Sequence, residues 1–186
     1  MNRRDIQKLV WVAVITLGLL LAAFAVWFFL FQYNFETYTQ ARQKFSIKYP
    51  TDWYKQENQE GASVIFLSPL DNQLDFFKEN VNVVVQDLSK SSMELKDYTD
   101  TAIRQVEIIF RENLQVIESK PTWLSGYPAH RFIFLGKGPE AEFKYFIVWT
   151  IKDNVAYQVT YAAISSQFDK YLPIVKRMMS SFKINR

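Results

Sequence analysis

The sequence has no cysteine and a single histidine among its 186 residues. Without cysteine there is no disulfide framework, no thiolate zinc site, no thiol nucleophile and no cysteine to carry a lipid. With His130 alone, any catalytic scheme that needs two imidazoles is excluded. Glycine and proline are sparse, at 5 and 6 residues, while hydrophobic residues make up 49% of the chain. This composition excludes collagen and intrinsic disorder.

A long apolar run lies near the N-terminus. Residues 9–31 carry no charge, and a helix of this length spans about 35 Å, enough for the ~30 Å hydrocarbon core of a bilayer. Arg3, Arg4 and Lys8 precede the run, so the positive-inside rule places the N-terminus in the cytoplasm. We therefore predict a cytoplasmic tail at 1–8 and a single transmembrane helix in contact with the lipid bilayer. The chain that follows is predicted to lie in the periplasm, the extracellular space or the thylakoid lumen.

Two other interpretations of the run are a cleaved signal peptide and a buried core helix. The segment 23–25 has the small-x-small pattern of a cleavage site. Cleavage there would leave the apolar segment 26–31 exposed at the new N-terminus, and the run is longer than the apolar core of most signal peptides. An uncleaved anchor is the favoured interpretation.

The remaining chain is typical of one globular domain. Residues 32–43 are polar and aromatic, which predicts a juxtamembrane stalk, and residues 44–186 form the predicted extracytoplasmic domain. Alternating or continuous apolar runs predict several strands. These strands are predicted at 44–49, 62–67, 81–87, 129–135, 143–151 and 155–163.

Two segments have helical periodicity instead. One is 96–114, whose apolar stripe consists of Tyr98, Ala102, Val106, Ile109, Phe110 and Leu114. The other is 165–182. Residues 152–154 predict a hairpin turn between two strands, and 143–151 is apolar on both faces, which predicts a central, covered strand. The fold class is therefore α+β, a mostly antiparallel sheet flanked by helices.

Few residues suggest chemistry. His130 lies on one strand face with Phe132 and Phe134, and the sequence does not bring a carboxylate and a nucleophile to it, so a structural role is favoured over ligand contact or catalysis. The aromatic residues are candidates for a pocket or a partner surface, with core packing as the alternative. The candidate ligand- or partner-binding residues are Trp123, Tyr127, His130, Trp149, Tyr157 and Tyr161.

Other possible sites are weaker. Residues 136–139 contain two glycines and a lysine but lack phosphate-loop spacing, which favours a turn. Asp71, Asp75 and Glu79 lack the EF-hand pattern and are predicted to lie in a solvated loop. Outside the N-terminal tail, the chain has 19 basic and 18 acidic residues and no basic stripe, so nucleic-acid binding is not expected.

An ordered set of segments resembles the PsbP-like family, named for an extrinsic protein of the photosystem II oxygen-evolving complex. The set spans about residues 44–184 and no single piece is diagnostic. It consists of Phe45 to Pro50 followed by Asp52 and Trp53, Gly61 to Phe66, Asn80 to Val85, an amphipathic helix, Tyr127 to Phe134, Ala156 to Tyr161, Phe168 to Tyr171 and Ser180 to Lys183.

The resemblance implies an α/β/α sandwich and a role without catalysis. In that family the role is binding to, or helping to assemble, a membrane protein complex on the extracytoplasmic or lumenal side. No cofactor or metal is expected from the residues, and calcium enters by family analogy alone. The alternative function is an extracytoplasmic small-ligand-binding domain with an aromatic-lined pocket, unrelated to photosynthesis. A hydrolase that uses His130 is a third hypothesis.

Overall fold

The computed structural model describes residues 3–31, 34–70, 72 and 75–185, and in the first helix it describes side chains only at residues 7, 8 and 11–24. The chain divides into two units, Met1–Asn34 and Phe35–Arg186. The first unit is the helix α1, Arg3–Phe31. Among the helices as far as they are described, none has both the length and the apolarity needed to cross a membrane.

The second unit is an α+β domain in which every strand pairing is antiparallel, as predicted. Two helices and ten strands follow one another along its described residues. Their order is β1 (Phe35–Gln40), β2 (Phe45–Pro50), β3 (Tyr54–Gln59), β4 (Ala62–Leu67), β5 (Asn80–Asp87), α2 (Leu95–Phe110), β6 (Leu114–Leu124), β7 (Tyr127–Lys137), β8 (Glu142–Lys152), β9 (Val155–Ile164), α3 (Phe168–Ser181) and β10 (Lys183–Ile184).

The larger sheet has seven strands in the order β3-β4-β5-β9-β8-β7-β6. The predicted hairpin joins β8 to β9, and its turn residues Asp153 and Asn154 have positive φ angles of 51° and 57°. Short polar side chains tolerate this left-handed conformation better than most residues do. Within β8, residues 146–150 are buried in succession, so this strand is covered on both faces, as its apolar pattern predicts.

The smaller sheet has three strands in the order β1-β2-β10. Its first strand corrects the predicted stalk, because Phe35–Gln40 pairs along its whole length with β2. Tyr38 is buried and packs on Phe45 and Phe66, with ring centroids about 6 Å apart. A single inward aromatic in a polar segment gives too weak an alternation to predict a strand. Residues 32 and 33 of the predicted stalk lie outside the described residues.

The helix α2 packs on one face of the larger sheet, over β6, β7 and β8. Its apolar stripe meets a buried hydrophobic cluster consisting of Phe132, Phe134, Ile147 and Trp149. The helix ends at Phe110, and a short 3-10 turn leads to Leu114, which begins β6. The predicted helix to residue 114 is thus too long, and β6 was not predicted. A side chain at Gly136 would overlap the Phe110 ring, so this glycine permits the helix end to pack closely on β7.

The opposite face of the larger sheet is covered by α3 and by the smaller sheet. Six side chains of α3 are buried there: Phe168, Tyr171, Ile174, Val175, Met178 and Met179. Stacked rings join the layers, with Phe45 against Phe182 at 5.6 Å and Tyr49 against Phe66 at 4.4 Å. This core is closed, because β2 and α3 together leave Phe45, Phe66 and Ile47 without solvent exposure.

Candidate functional site

The six predicted site residues do not converge on one pocket. His130 and Trp149 lie on the α2 side of the larger sheet, whereas Tyr157 and Tyr161 lie on the α3 side. Trp123, near the end of β6, is 69% exposed. Successive residues of a strand point to opposite faces of the sheet. Candidates identified by residue type alone are therefore divided between the two faces.

His130 makes a specific pair of contacts. Its Nε2 lies 2.8 Å from the Ser119 hydroxyl, and its ring stacks on Trp149 with centroids 5.3 Å apart. Burial lowers the pKa of His130, opposed by the charge of Asp100 on α2. A serine and a neutral imidazole resemble a nucleophile and its base, but among the described residues no carboxylate hydrogen-bonds to the other ring nitrogen. The third member that orients a catalytic triad is not observed there.

Trp149 joins the sheet to α2. Only 1% of it is exposed, and its indole N–H donates to the Thr99 hydroxyl at 2.8 Å. A buried indole N–H needs such an acceptor because leaving it unpaired costs about 1–3 kcal/mol. Thr99 is itself buried, and the same hydrogen bond holds its side chain toward the sheet. Trp149 therefore positions α2 on its strands.

A groove of about 330 Å³ runs between α2 and the strands that α2 leaves uncovered. Its floor contains Trp149 and Ile147, and amide side chains stand on both walls. The remaining lining residues are Gln86, Leu88, Met93, Tyr98, Thr101, Ala102, Gln105, Val106, Ile109 and Gln158. Its size falls within the range of about 300–1,000 Å³ for small-molecule sites.

Four exposed apolar residues lie at the end of α2 and at the start of β6. Ile108 and Ile109 of α2 are 63% and 72% exposed, and Val116 and Ile117 of β6 are each 48% exposed. We call these four residues the isoleucine patch. The predicted stripe placed Ile109 in the core, but this residue, one before the end of α2, lines the open groove and is 72% exposed. Contiguous exposed apolar surface marks interaction sites, whereas single exposed apolar side chains are ordinary.

The tyrosines on the α3 side have other roles. Tyr161 is fully buried, and its hydroxyl donates to the backbone carbonyl of Phe168 at 2.9 Å. Burial raises the pKa of Tyr161, so the phenol stays protonated. Tyr157 is 4% exposed and packs edge-on against Phe182. Tyr127 lies beneath the Lys152 ammonium, which is 5.0 Å from its ring centroid.

A second cavity, of about 400 Å³, lies at one end of the domain. We call it the end cleft. The turn between β1 and β2, the end of β5, the β8–β9 hairpin and the C-terminal strand enclose it. Its lining residues are Arg42, Gln43, Lys44, Val85, Asp87, Lys152, Asp153, Val155, Tyr157, Ile184 and Asn185. Of the predicted candidates, only Tyr157 lines it.

No group of three or more metal-ligating His, Asp or Glu side chains occurs among the described residues. Glu79 differs from its predicted place in a solvated loop, since it is 1% exposed and accepts a hydrogen bond from Ser68 at 3.3 Å. Asp75 lies in the connection before β5, and Asp71 lies outside the described residues. The residues that the sequence did not identify are Gln43, with the basic side chains beside it, and the isoleucine patch.

Comparisons with known proteins agree with this architecture. The family model of PsbP matches residues 33–184, and a comparison with curated proteins gave no match. Among solved structures, the chain is similar to cyanobacterial PsbP from Synechocystis sp. PCC 6803, with 14% identity over 81% of this chain and 92% of that one and a TM-score of 0.60.

Two further solved structures are similar. The Ran-binding protein Mog1p of Saccharomyces cerevisiae has 8% identity, with 82% of this chain and 96% of that one covered and a TM-score of 0.57. A protein of unknown function from Pseudomonas aeruginosa, described as a putative regulator, has 12% identity, with 80% and 95% covered and a TM-score of 0.56. At such identities the likeness shows the fold alone.

Proposed function

Because this chain belongs to the PsbP family, we propose that it is a non-catalytic interaction protein that docks on a partner in a membrane complex. The observation that carries this proposal is the isoleucine patch, four apolar side chains between 48% and 72% exposed on a domain whose other helix buries its apolar face. Mog1p, which has a similar fold, is a Ran-binding protein, so the fold serves protein docking elsewhere. In a photosynthetic host the expected partner is photosystem II at its oxygen-evolving complex.

The proposed site of action is the outer surface of a membrane. The uncharged run 9–31 falls within α1, and the basic residues Arg3, Arg4 and Lys8 precede it. These features support a single anchor with the N-terminus in the cytoplasm and the PsbP domain outside.

The chain's lack of cysteine makes this topology directly testable. Single cysteines replace Asn2 and Asp169 in separate variants, and intact cells are treated with a membrane-impermeant maleimide. We expect label on Asp169→Cys in intact cells and on Asn2→Cys only after permeabilisation. The reverse pattern would overturn the orientation, and release of both variants into the soluble fraction would overturn the anchor.

Docking is tested by affinity purification of the full chain from membranes of its host, solubilised in a mild nonionic detergent. The double variant Ile108→Ser, Ile109→Ser removes the two most exposed apolar side chains of the isoleucine patch. A matched control, Leu70→Ser with Phe76→Ser, changes two other exposed apolar residues, 47% and 64% exposed. We expect a co-purifying partner to be lost from the first variant and retained by the second. Equal recovery by both variants would contradict docking at the patch.

A small-ligand-binding domain is the second candidate function, and the groove beside α2 favours it. Its apolar floor and its glutamine side chains Gln86, Gln105 and Gln158 match the usual composition of small-molecule sites, mostly apolar with a few polar groups. Native mass spectrometry of the purified full chain would show a co-purifying mass that Ala102→Trp, which fills the groove, displaces. A mass equal to the bare chain in the wild type would count against this function.

A further inference from the structure

The end cleft carries a charge pattern that no role described above uses. Arg42 and Lys44 stand on its β1–β2 wall, are exposed, and form no ion pair with any described residue. Between them, the Gln43 carbonyl oxygen Oε1 is buried and has no hydrogen-bond partner among the described residues. A buried acceptor without a partner is destabilising, so this wall gains by meeting a ligand that offers an N–H.

The opposite wall carries one cation, Lys152, and two carboxylates, Asp87 and Asp153. Asp87 accepts a hydrogen bond from the Ser89 backbone at 2.8 Å, and hydrogen bonds from Ser89 lower its pKa. Lys152 lies 3.9 Å from Asp153 and over the ring of Tyr127. Asp153 is paired with Lys152, whereas Asp87 stays ionised, so Arg42 and Lys44 leave the cleft lining with a net charge of +1.

The same positive charge continues outside the cleft. Lys48 and Lys183 lie on the outer face of the three-stranded sheet, where Lys183 pairs with Ser46 and Lys48 follows two residues along β2. Both are exposed. The other described residues on that face of β1 and β2, by alternation, are Phe35, Thr37, Thr39, Ser46 and Pro50, none of them acidic. We call Arg42, Lys44, Lys48 and Lys183 the basic strip.

From these features we infer that the end cleft and the basic strip bind an acidic peptide segment of a protein partner. One carboxylate enters the cleft, where the planar guanidinium of Arg42 offers a paired set of N–H donors and Lys44 adds a second charge. A peptide N–H meets the Gln43 amide once that amide turns into the cleft. Val85, Val155 and Ile184 provide apolar wall for the stem of a glutamate side chain. Further acidic residues follow the basic strip across the small sheet.

A peptide fits these observations better than a lipid surface does. The cleft is a concavity of about 400 Å³, which admits a side chain and a short piece of backbone but not a layer of head groups. The unpaired Gln43 acceptor calls for an N–H donor, and every peptide unit except one at proline supplies one. This surface shares no residue with the isoleucine patch. A failure of peptide binding at the end cleft can therefore be distinguished from a failure of docking at the patch.

The test measures fluorescence anisotropy of a fluorescein-labelled hexapeptide with four central glutamates, titrated with the full chain in a nonionic detergent at low salt. The cleft variant Arg42→Gln, Lys44→Gln is compared with Lys137→Gln, Lys176→Gln, which removes the same charge from exposed positions elsewhere. We expect the dissociation constant to rise at least ~10-fold in the cleft variant, about 1.4 kcal/mol, and less than ~2-fold in the control, a rim-charge effect. Equal weakening in both would mean a general charge effect and would overturn the site.

Two further measurements distinguish a bound peptide from a bound lipid surface. Gln43→Leu removes the amide but no charge, and we expect it to weaken the peptide while leaving any binding to phosphatidylglycerol vesicles unchanged. A hexapeptide with glutamine in place of glutamate should not bind. If the vesicles bind in preference to the peptide, and lose that binding in the cleft variant, the strip is a lipid-binding surface and the inference is wrong.

Discussion

The two faces of the seven-stranded sheet are covered in different ways. On the α3 side, a helix and a second sheet close over an aromatic core in which Phe45, Phe66 and Tyr161 have no exposed surface. On the α2 side, one helix covers three strands, beside a groove and the isoleucine patch. The closed face contains most of the buried core, and the partly covered face is the one on which we propose that a partner docks. Aromatic content alone therefore does not mark a site in this domain.

The largest effect separating the faces should come from Phe45→Ala. The ring is fully buried and stacked on Phe182, so its removal leaves a cavity and costs about 3–5 kcal/mol of the free energy of unfolding. Urea denaturation of the full chain in detergent, followed by tryptophan fluorescence, measures the change. Ile109→Ala, on the exposed patch, is the control and should change stability by less than about 0.5 kcal/mol. Comparable losses in both variants would mean that the patch is part of the core.

An intermediate loss of stability should come from breaking the hydrogen bond that connects α2 to the sheet. Thr99→Val keeps the side-chain shape but leaves the Trp149 indole N–H buried without its acceptor, which should cost about 1–3 kcal/mol. The matched control Thr99→Ser retains a hydroxyl and should lose less. Thermal unfolding of both variants gives the comparison. A valine variant as stable as the serine variant would show that the hydrogen bond does not hold α2 in place.

The smallest effect should be a pH dependence on the α2 side. Burial lowers the pKa of His130 below its ordinary value of 6.5, so the unfolded chain binds this proton more tightly than the folded domain. Its contribution to stability is therefore complete above pH 6.5 and declines as the pH falls through that value toward the folded pKa. The wild type should lose slightly more stability than His130→Gln between about pH 7.5 and about pH 5. An NMR titration showing a His130 pKa above 6.5 would contradict this.

Much of the architecture was predictable where the side-chain pattern is strong. The hairpin at Asp153 and Asn154 and the covered strand β8 follow from turn chemistry and from a continuous apolar run. The strand β6 was missed because it is an edge strand with Pro121 and mostly exposed side chains, features that remove the apolar signal of a strand. β1 was missed for a similar reason.

The sites were less predictable, since they depend on contacts between distant segments. Residue type alone makes Trp149 and His130 candidates, but the stack between them arises from the pairing of β7 with β8. Arg42 and Lys44 lie in an ordinary polar turn of the sequence. They become part of a cleft only when the β8–β9 hairpin is brought beside that turn. The periodicity of one segment contains no information about its tertiary contacts with distant segments.

Docking through the α2 side is tested most directly by site-specific photocrosslinking in the living host. A photoreactive phenylalanine replaces Ile109 in one variant and Asp169, an exposed residue of α3, in another. Docking on the α2 side predicts a discrete crosslinked membrane protein with the Ile109 variant and none with the Asp169 variant. The same adduct from both positions, or an adduct from Asp169 alone, would contradict it.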